Sequence, residues 1–141
     1  RMFSYTNARR KNLFQAAFAR QINQFKRGEI KYIKHGNLNS VRTFMDIKDA
    51  MGAYWLTAKK GKVGEIYNIG GNKIISVGNY LKKLIEISGV KVNTKLSKNL
   101  VRPVDVTLQI PSVSKFKKDT GWQPKIGFKE SIEKLLHETR K

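Results

Sequence analysis

Two arginines stand in company that invites chemistry. Arg42 lies in Ser40-Val41-Arg42-Thr43-Phe44, between a glycine turn and a helix signal. Arg102 precedes a proline in the apolar run Leu100-Val101-Arg102-Pro103-Val104-Asp105-Val106. A guanidinium is a planar fork of donors that meets two phosphate oxygens at once, which a lysine ammonium does not reproduce. The spacing also fits a plainer role, in which each arginine pairs with a carboxylate such as Asp46 or Asp105 and ties a loop. Groups for covalent or acid–base work are harder to find. There is no cysteine, and the two histidines, His35 and His137, are far apart with no ligand-like neighbours. No metal site, Ser-His-Asp triad or Cys-His pair is expected from such a set. The chain has no G-x-G-x-x-G, P-loop or G-x-S-x-G; Gly70-Gly71 is a turn that lacks the third glycine and the lysine. None of the five tyrosines is followed by lysine four positions later. These residues predict binding rather than catalysis.

Charge offers a competing reading. The 141 residues carry 29 Lys plus Arg against 10 Asp plus Glu, a formal net charge of +19. Such an excess suits phosphate neutralisation and a basic nucleic-acid-binding module. The lysines, however, are spread over several elements, including Lys59, Lys60, Lys82, Lys83, Lys95, Lys117 and Lys134, with no basic arm and no interleaved aromatics for base stacking. A solvated surface is the simpler account, and nucleic acid is not the expected partner. Forty per cent hydrophobic residues support a folded core, and no apolar run approaches the roughly 20 residues that span a bilayer. The start, Arg1-Met2-Phe3-Ser4-Tyr5, lacks the apolar core of a secretory leader and reads as a strand cut open at its beginning. With no cysteine, the composition favours the cytoplasm.

The elements that must position the arginines follow from periodicity and caps. Residues 1–6 read as a strand. Asn12 is expected to cap a helix with Phe14, Phe18, Ile22 and Phe25 on one face, ended by Gly28. A short strand at 31–33 leads through the turn 35–39, with His35 solvated, to a strand at 41–44. Asp46 caps a second helix whose buried stripe is Ile47, Ala50, Met51 and Tyr54. A strand at 65–69 precedes a third helix, capped by Ser76 and closed by Gly89, with Leu81, Leu84 and Ile85 inward. A strand at 90–94, a loop around Arg102-Pro103, a short helix at 113–119 ended by Gly121, and a last helix burying Ile132, Leu135 and Leu136 complete the chain. Trp55 and Trp122 are expected in packing roles, and Arg9-Arg10-Lys11 as a basic surface turn. With no repeat and no linker, residues 1–141 form one α/β domain.

Five segments in order add a resemblance. These are Met2-Phe3-Ser4-Tyr5-Thr6-Asn7-Ala8-Arg9-Arg10, Gly36-Asn37-Leu38-Asn39-Ser40-Val41-Arg42-Thr43, Tyr67-Asn68-Ile69-Gly70-Gly71-Asn72, Arg102-Pro103-Val104-Asp105-Val106 and Thr120-Gly121-Trp122-Gln123-Pro124. Together they resemble the carboxy-terminal half of extended short-chain dehydrogenases acting on nucleotide sugars, nearest to the GDP-mannose 4,6-dehydratases. The resemblance implies a Rossmann-type fold whose amino-terminal, cofactor-binding half, with its Tyr-x-x-x-Lys pair, is missing here. It implies a full-length lyase using NADP or NAD, which oxidises C4 of a hexose, eliminates water across C5 and C6, and returns the hydride to C6. This part alone is expected to hold no dinucleotide. By the same resemblance Arg42 and Arg102 contact the diphosphate, Asp105 accepts from the ribose hydroxyls, and Asn37 sits beside the base. Arg9 and Arg10 reach a neighbouring subunit's cofactor in a homo-oligomer. Ser4, Lys11 and Phe18 depart from the family pattern, which leaves an epimerase or reductase of another nucleotide sugar as the alternative.

Overall fold

One strand has partners on every side. In the computed structural model, which describes residues 1–140, β3 (Val41–Asp46) lies against β1 (Tyr5–Thr6), β4 (Lys73–Ser76) and β6 (Leu108–Gln109). Pairing is parallel to β1 and β6 and antiparallel to β4, with Arg42 opposite both Ile75 and Gln109. A second, two-stranded parallel sheet joins β2 (Tyr32–His35) to β5 (Asn93–Leu96). Helices α1 (Phe14–Lys26), α2 (Ile47–Lys60), α3 (Val77–Ser88), α4 (Ser114–Thr120) and α5 (Phe128–Glu138) pack around them. The α/β class and the mixing of helices with short strands agree with the sequence reading. No helix among the described residues is long and apolar enough to cross a membrane.

Alternation along β3 divides the interior. Successive strand residues face opposite sides, so Phe44 enters one apolar cluster and Met45 another. The first cluster holds Phe18, Ile22, Ile33, Tyr80, Leu81, Leu84, Ile132 and Leu135 from α1, β2, α3 and α5. Phe44 stacks on Tyr80 at 4.7 Å between centroids, with Phe14 and Phe128 edge-on or tilted around them. Burial pushes the Tyr80 phenol far above its ordinary pKa, and its hydroxyl has no hydrogen-bond partner among the described residues. The second cluster joins Met45 to Ala50, Ala53, Tyr67, Ile69, Phe116 and Trp122.

Local chemistry sets the helix ends. Asp46 accepts from Lys48 N at 2.8 Å and Ser76 accepts from Asn79 N at 3.1 Å, each satisfying a first-turn amide. Gly89 and Gly121 close α3 and α4 in the left-handed region, at φ 72° and 74°. Asn12 does not cap α1: the cap is Leu13, with no side-chain hydrogen bond. The stripe expected on α2 is also displaced. Ala50 and Ala53 are fully buried, whereas Met51, Tyr54 and Trp55 are 45%, 53% and 65% exposed. The helix approaches the core through its alanines, so its bulky residues, spaced three and four apart, form an outward stripe. Residues 65–69 make only a single bridge, Met2 to Ile69, and β5 begins at Asn93 rather than residue 90.

Two glycines give a direct check on this packing. A Cβ on Gly71 would overlap the backbone carbonyl of Phe44, while one on Gly127, at φ −65°, would meet nothing within 4 Å. Gly71→Ala should therefore lower the thermal midpoint sharply or prevent folding. Gly127→Ala should stay within about 0.5 kcal/mol of the parent in a denaturant melt.

Candidate functional site

Four of the residues singled out above can be followed to one place or its edge. The turn after β2 brings Asn37 and Ser40 to the start of β3, and the 101–106 loop returns beside them on its way to β6. Thr107 O accepts from Val41 N at 2.8 Å, which fixes the loop to the strand. Asp105 then lies against the turn. Its Oδ2 accepts from Ser40 Oγ at 2.6 Å and from Asn37 Nδ2 at 3.0 Å, while Oδ1 lies 3.5 Å from Arg42 Nη2. Arg42 Nη1 donates to Val106 O at 2.7 Å. The Arg42 and Asp105 side chains are 13% and 21% exposed.

The arrangement corrects the balance between the two arginines. Arg42 ties the loop to β3, which is the plainer of the two roles its spacing allowed. Of its five N–H donors, Nε–H and one hydrogen on Nη2 have no protein partner among the described residues. Asp46 does not pair with an arginine; it is buried and accepts from Ser131 Oγ at 2.9 Å and Lys134 Nζ at 3.2 Å. Arg102, only three residues from Asp105, is exposed and makes no hydrogen bond or ion pair among the described residues. Its loop exposes Leu100, Val101, Val104 and Val106, with Leu108 and Ile110 just beyond. An unpaired, exposed arginine thus lies among exposed apolar residues in sequence, three positions from the Asp105 of the half-buried polar cluster.

Asn37 is shared between its own turn and the 101–106 loop. Its Oδ1 accepts from Asn39 N at 2.9 Å, and its Nδ2 reaches both Ser40 Oγ at 3.1 Å and Asp105. This Asx-type turn is legible in Gly36-Asn37-Leu38-Asn39. Ser40 stood out in the sequence only as part of the 36–43 segment and not as a site residue, although it is 1% exposed and bonded at the centre of the cluster. Arg9 and Arg10 are exposed in the turn after β1, where Arg9 N donates to Asn7 Oδ1. His35 Nδ1 lies 2.9 Å from Gly36 O. No group of three His, Cys, Asp or Glu among the described residues is placed to hold a metal.

The Ser40 hydrogen bond holds the Asp105 carboxyl below its ordinary pKa; burial, next in size, opposes it, and the Asn37 hydrogen bond, the charge of Arg42 and the Val106 backbone add to the lowering. A lowered folded-state pKa means that the ionised form favours the fold. That contribution is present above the unfolded value of about 3.9 and is lost as pH falls through the lower folded value. Thermal melts of the parent and Asp105→Asn should therefore differ most near neutral pH. The gap should close as the pH drops below about 4, because a protonated carboxyl and an amide are both uncharged.

Comparison with known proteins gives this cluster a setting. Residues 1–135 match the family model described as GDP-mannose 4,6 dehydratase. A dTDP-D-glucose 4,6-dehydratase from Homo sapiens is 35% identical over 107 residues, covering 72% of this chain and 30% of the relative. A GDP-6-deoxy-D-mannose reductase from Pseudomonas aeruginosa is 25% identical over 138 residues, covering 96% of this chain and 45% of the relative. The solved structure of RMD from Pseudomonas aeruginosa complexed with NADPH superposes with a TM-score of 0.89 at 23% identity, over 99% of this chain and 47% of that one. The chain thus spans less than half the length of these relatives, as the carboxy-terminal part of an extended short-chain dehydrogenase fold. With the family model spanning all but its last few residues, the chain belongs to the GDP-mannose 4,6-dehydratase family of nucleotide-sugar-modifying enzymes.

Proposed function

We propose that this chain is the nucleotide-sugar-binding part of an NAD(P)-dependent 4,6-dehydratase, with a GDP-hexose, GDP-mannose first, as substrate. The observation that carries the reading is the Asn37–Ser40–Arg42–Asp105 cluster with unused donors on Arg42, and an unpaired Arg102 three residues along the chain from Asp105, in a chain of this family. Arg102 and the free hydrogens of Arg42 bind the diphosphate, and the apolar side chains of the 100–110 loop cover the nucleotide. Binding energy gained there, remote from the reacting carbons, orients the hexose. Reduction of a GDP-linked keto sugar is the second reading, favoured by the likeness to the GDP-6-deoxy-D-mannose reductase over 96% of the chain.

A nicotinamide dinucleotide does not fit the glycines present. A Cβ on Gly70 would come within 2.7 Å of Pro111 Cγ, and Gly71 packs on the Phe44 backbone, so this pair serves close packing and does not cradle a pyrophosphate. The redox step belongs to another half of the enzyme, and no part of it is assigned to these residues. The outward stripe Met51, Tyr54 and Trp55 is the face that this half covers, since large contiguous apolar surface is unfavourable in water. In the assembled homo-oligomer, Arg9 and Arg10 extend toward a neighbouring subunit.

Calorimetry on this chain tests the reading. GDP should bind more tightly than GMP, with weak salt dependence. Arg102→Lys should weaken GDP about ten- to a hundredfold, since a charge-assisted hydrogen bond contributes roughly 1.5–3 kcal/mol, and should leave the thermal midpoint unchanged. Arg42→Lys should lower both, because it also loses the Val106 contact. Tight duplex DNA binding at about 0.2 M salt, with no binding of GDP, UDP or dTDP, would replace this reading with the basic nucleic-acid module.

A further inference from the structure

Ser40 is a hydroxyl whose burial needs a cause. A buried hydroxyl is costly unless it is paired, and Ser40, 1% exposed, is paired twice: it donates to Asp105 Oδ2 at 2.6 Å and accepts from Asn37 Nδ2 at 3.1 Å. Asn37 Nδ2 also reaches Oδ2 at 3.0 Å, so three polar atoms close a ring on one carboxylate oxygen. Two donors on Oδ2 restrict rotation of the carboxylate and leave Oδ1 beside Arg42 Nη2. The guanidinium is gripped separately through Nη1 by Val106 O. An arginine bonded at one terminal nitrogen and facing a carboxylate at the other, 3.5 Å away, has fewer orientations left for its remaining hydrogens.

We propose that Ser40 is a positioning residue for diphosphate binding, acting through Asp105 on the orientation of the Arg42 guanidinium. The inference rests on the diphosphate reading given above and changes one part of it. Asp105 serves as the link between Ser40 and Arg42, and its Oδ2, already accepting two hydrogen bonds, does not serve the ribose. Lysine at position 42 cannot use this link in the same way, because an ammonium has no fork whose plane could be set.

A double-mutant cycle tests the link: Ser40→Ala, Arg42→Lys and the double variant are compared with the parent chain. GDP, UDP and dTDP are titrated against each by calorimetry, with their monophosphates as references. Ser40→Ala should weaken the best-binding diphosphate about tenfold when Arg42 is present, equivalent to about 1.4 kcal/mol. In the Arg42→Lys background the same change should cost less than about twofold, because coupled residues are not additive. Ser40→Thr, which keeps the hydroxyl, should retain most of the affinity, and thermal melts run alongside establish that each variant is folded at the titration temperature. Equal loss from Ser40→Ala in both backgrounds would overturn the link and leave the diphosphate reading intact. If none of the three diphosphates binds the parent chain more tightly than its monophosphate, the diphosphate reading fails and the inference fails with it.

Discussion

The register of β3 is the constraint on which the rest of the structure depends. Its alternation sends Phe44 into the cluster under α1, α3 and α5, and Met45 into the cluster beside α2 and α4. Because strand periodicity is two, a slip of one residue would exchange these faces. Asp46 opposes such a slip. At the end of the strand it caps α2, meets Lys134 and accepts from Ser131, which is itself 2.8 Å from Thr6 Oγ1 in β1. At the other end, Val41 is bonded to Thr107 O, and Arg42 spans to Val106 and Asp105. The candidate site is therefore built on the same six residues that separate the two halves of the core.

The uneven charge follows in part from where the acids are used. All four aspartates accept hydrogen bonds from their own chain: Asp46 at the α2 cap, Asp49 from the amides of Lys125 and Ile126, Asp105 in the loop clasp, and Asp119 from Tyr67 OH and Lys62 Nζ. Several surface glutamates are paired as well, Glu29 with Arg27 and Glu86 with Lys83. Most of the cations have no such partner, so the surface field is strongly positive. Such a field draws any anion, a nucleotide included, toward the surface without selecting it. Selection has to come from fixed geometry, which on the proposed reading is the hold of Asp105 and the backbone carbonyls of Val41 and Val106 on Arg42.

Local features were legible in the sequence because each depends on a few neighbouring residues. The caps Asp46 and Ser76, the glycines that close α3 and α4, and the inward residues of α5 fall in this class. The expectations that failed depended on tertiary context. Helical spacing put Ile47, Ala50, Met51 and Tyr54 on one buried stripe, but it cannot say on which side the core lies, and the burial of Ala50 with Ala53 leaves Met51 and Tyr54 outward. Asn12 has the right chemistry for a cap, yet the helix begins after Leu13 without one. In the site, the sequence offered Asp105 a neighbour three positions away in Arg102, and the fold gave it Arg42, 63 positions away. Ser40 stood in the resembling segment 36–43 but was not singled out as a site residue, because a serine after a turn is ordinary until something buries it.

The two exposed apolar surfaces differ in a way that bears on their roles. The α2 stripe consists of Met51, Tyr54 and Trp55 on a regular helix, a rigid face whose shape changes little on contact. The other surface is a loop whose exposed Leu100, Val101, Val104 and Val106 flank Arg102, and it is held at both ends, by Leu100 packed on Gly36 and by Asp105 to Thr107 against the 37–42 segment. A rigid apolar face suits permanent burial against another folded layer, where ordering costs little. A loop held at its ends can adjust between them around a smaller ligand, and an arginine among apolar side chains acts more strongly once water is displaced. On the proposed reading the helix face therefore holds the enzyme together, and the loop closes on the nucleotide.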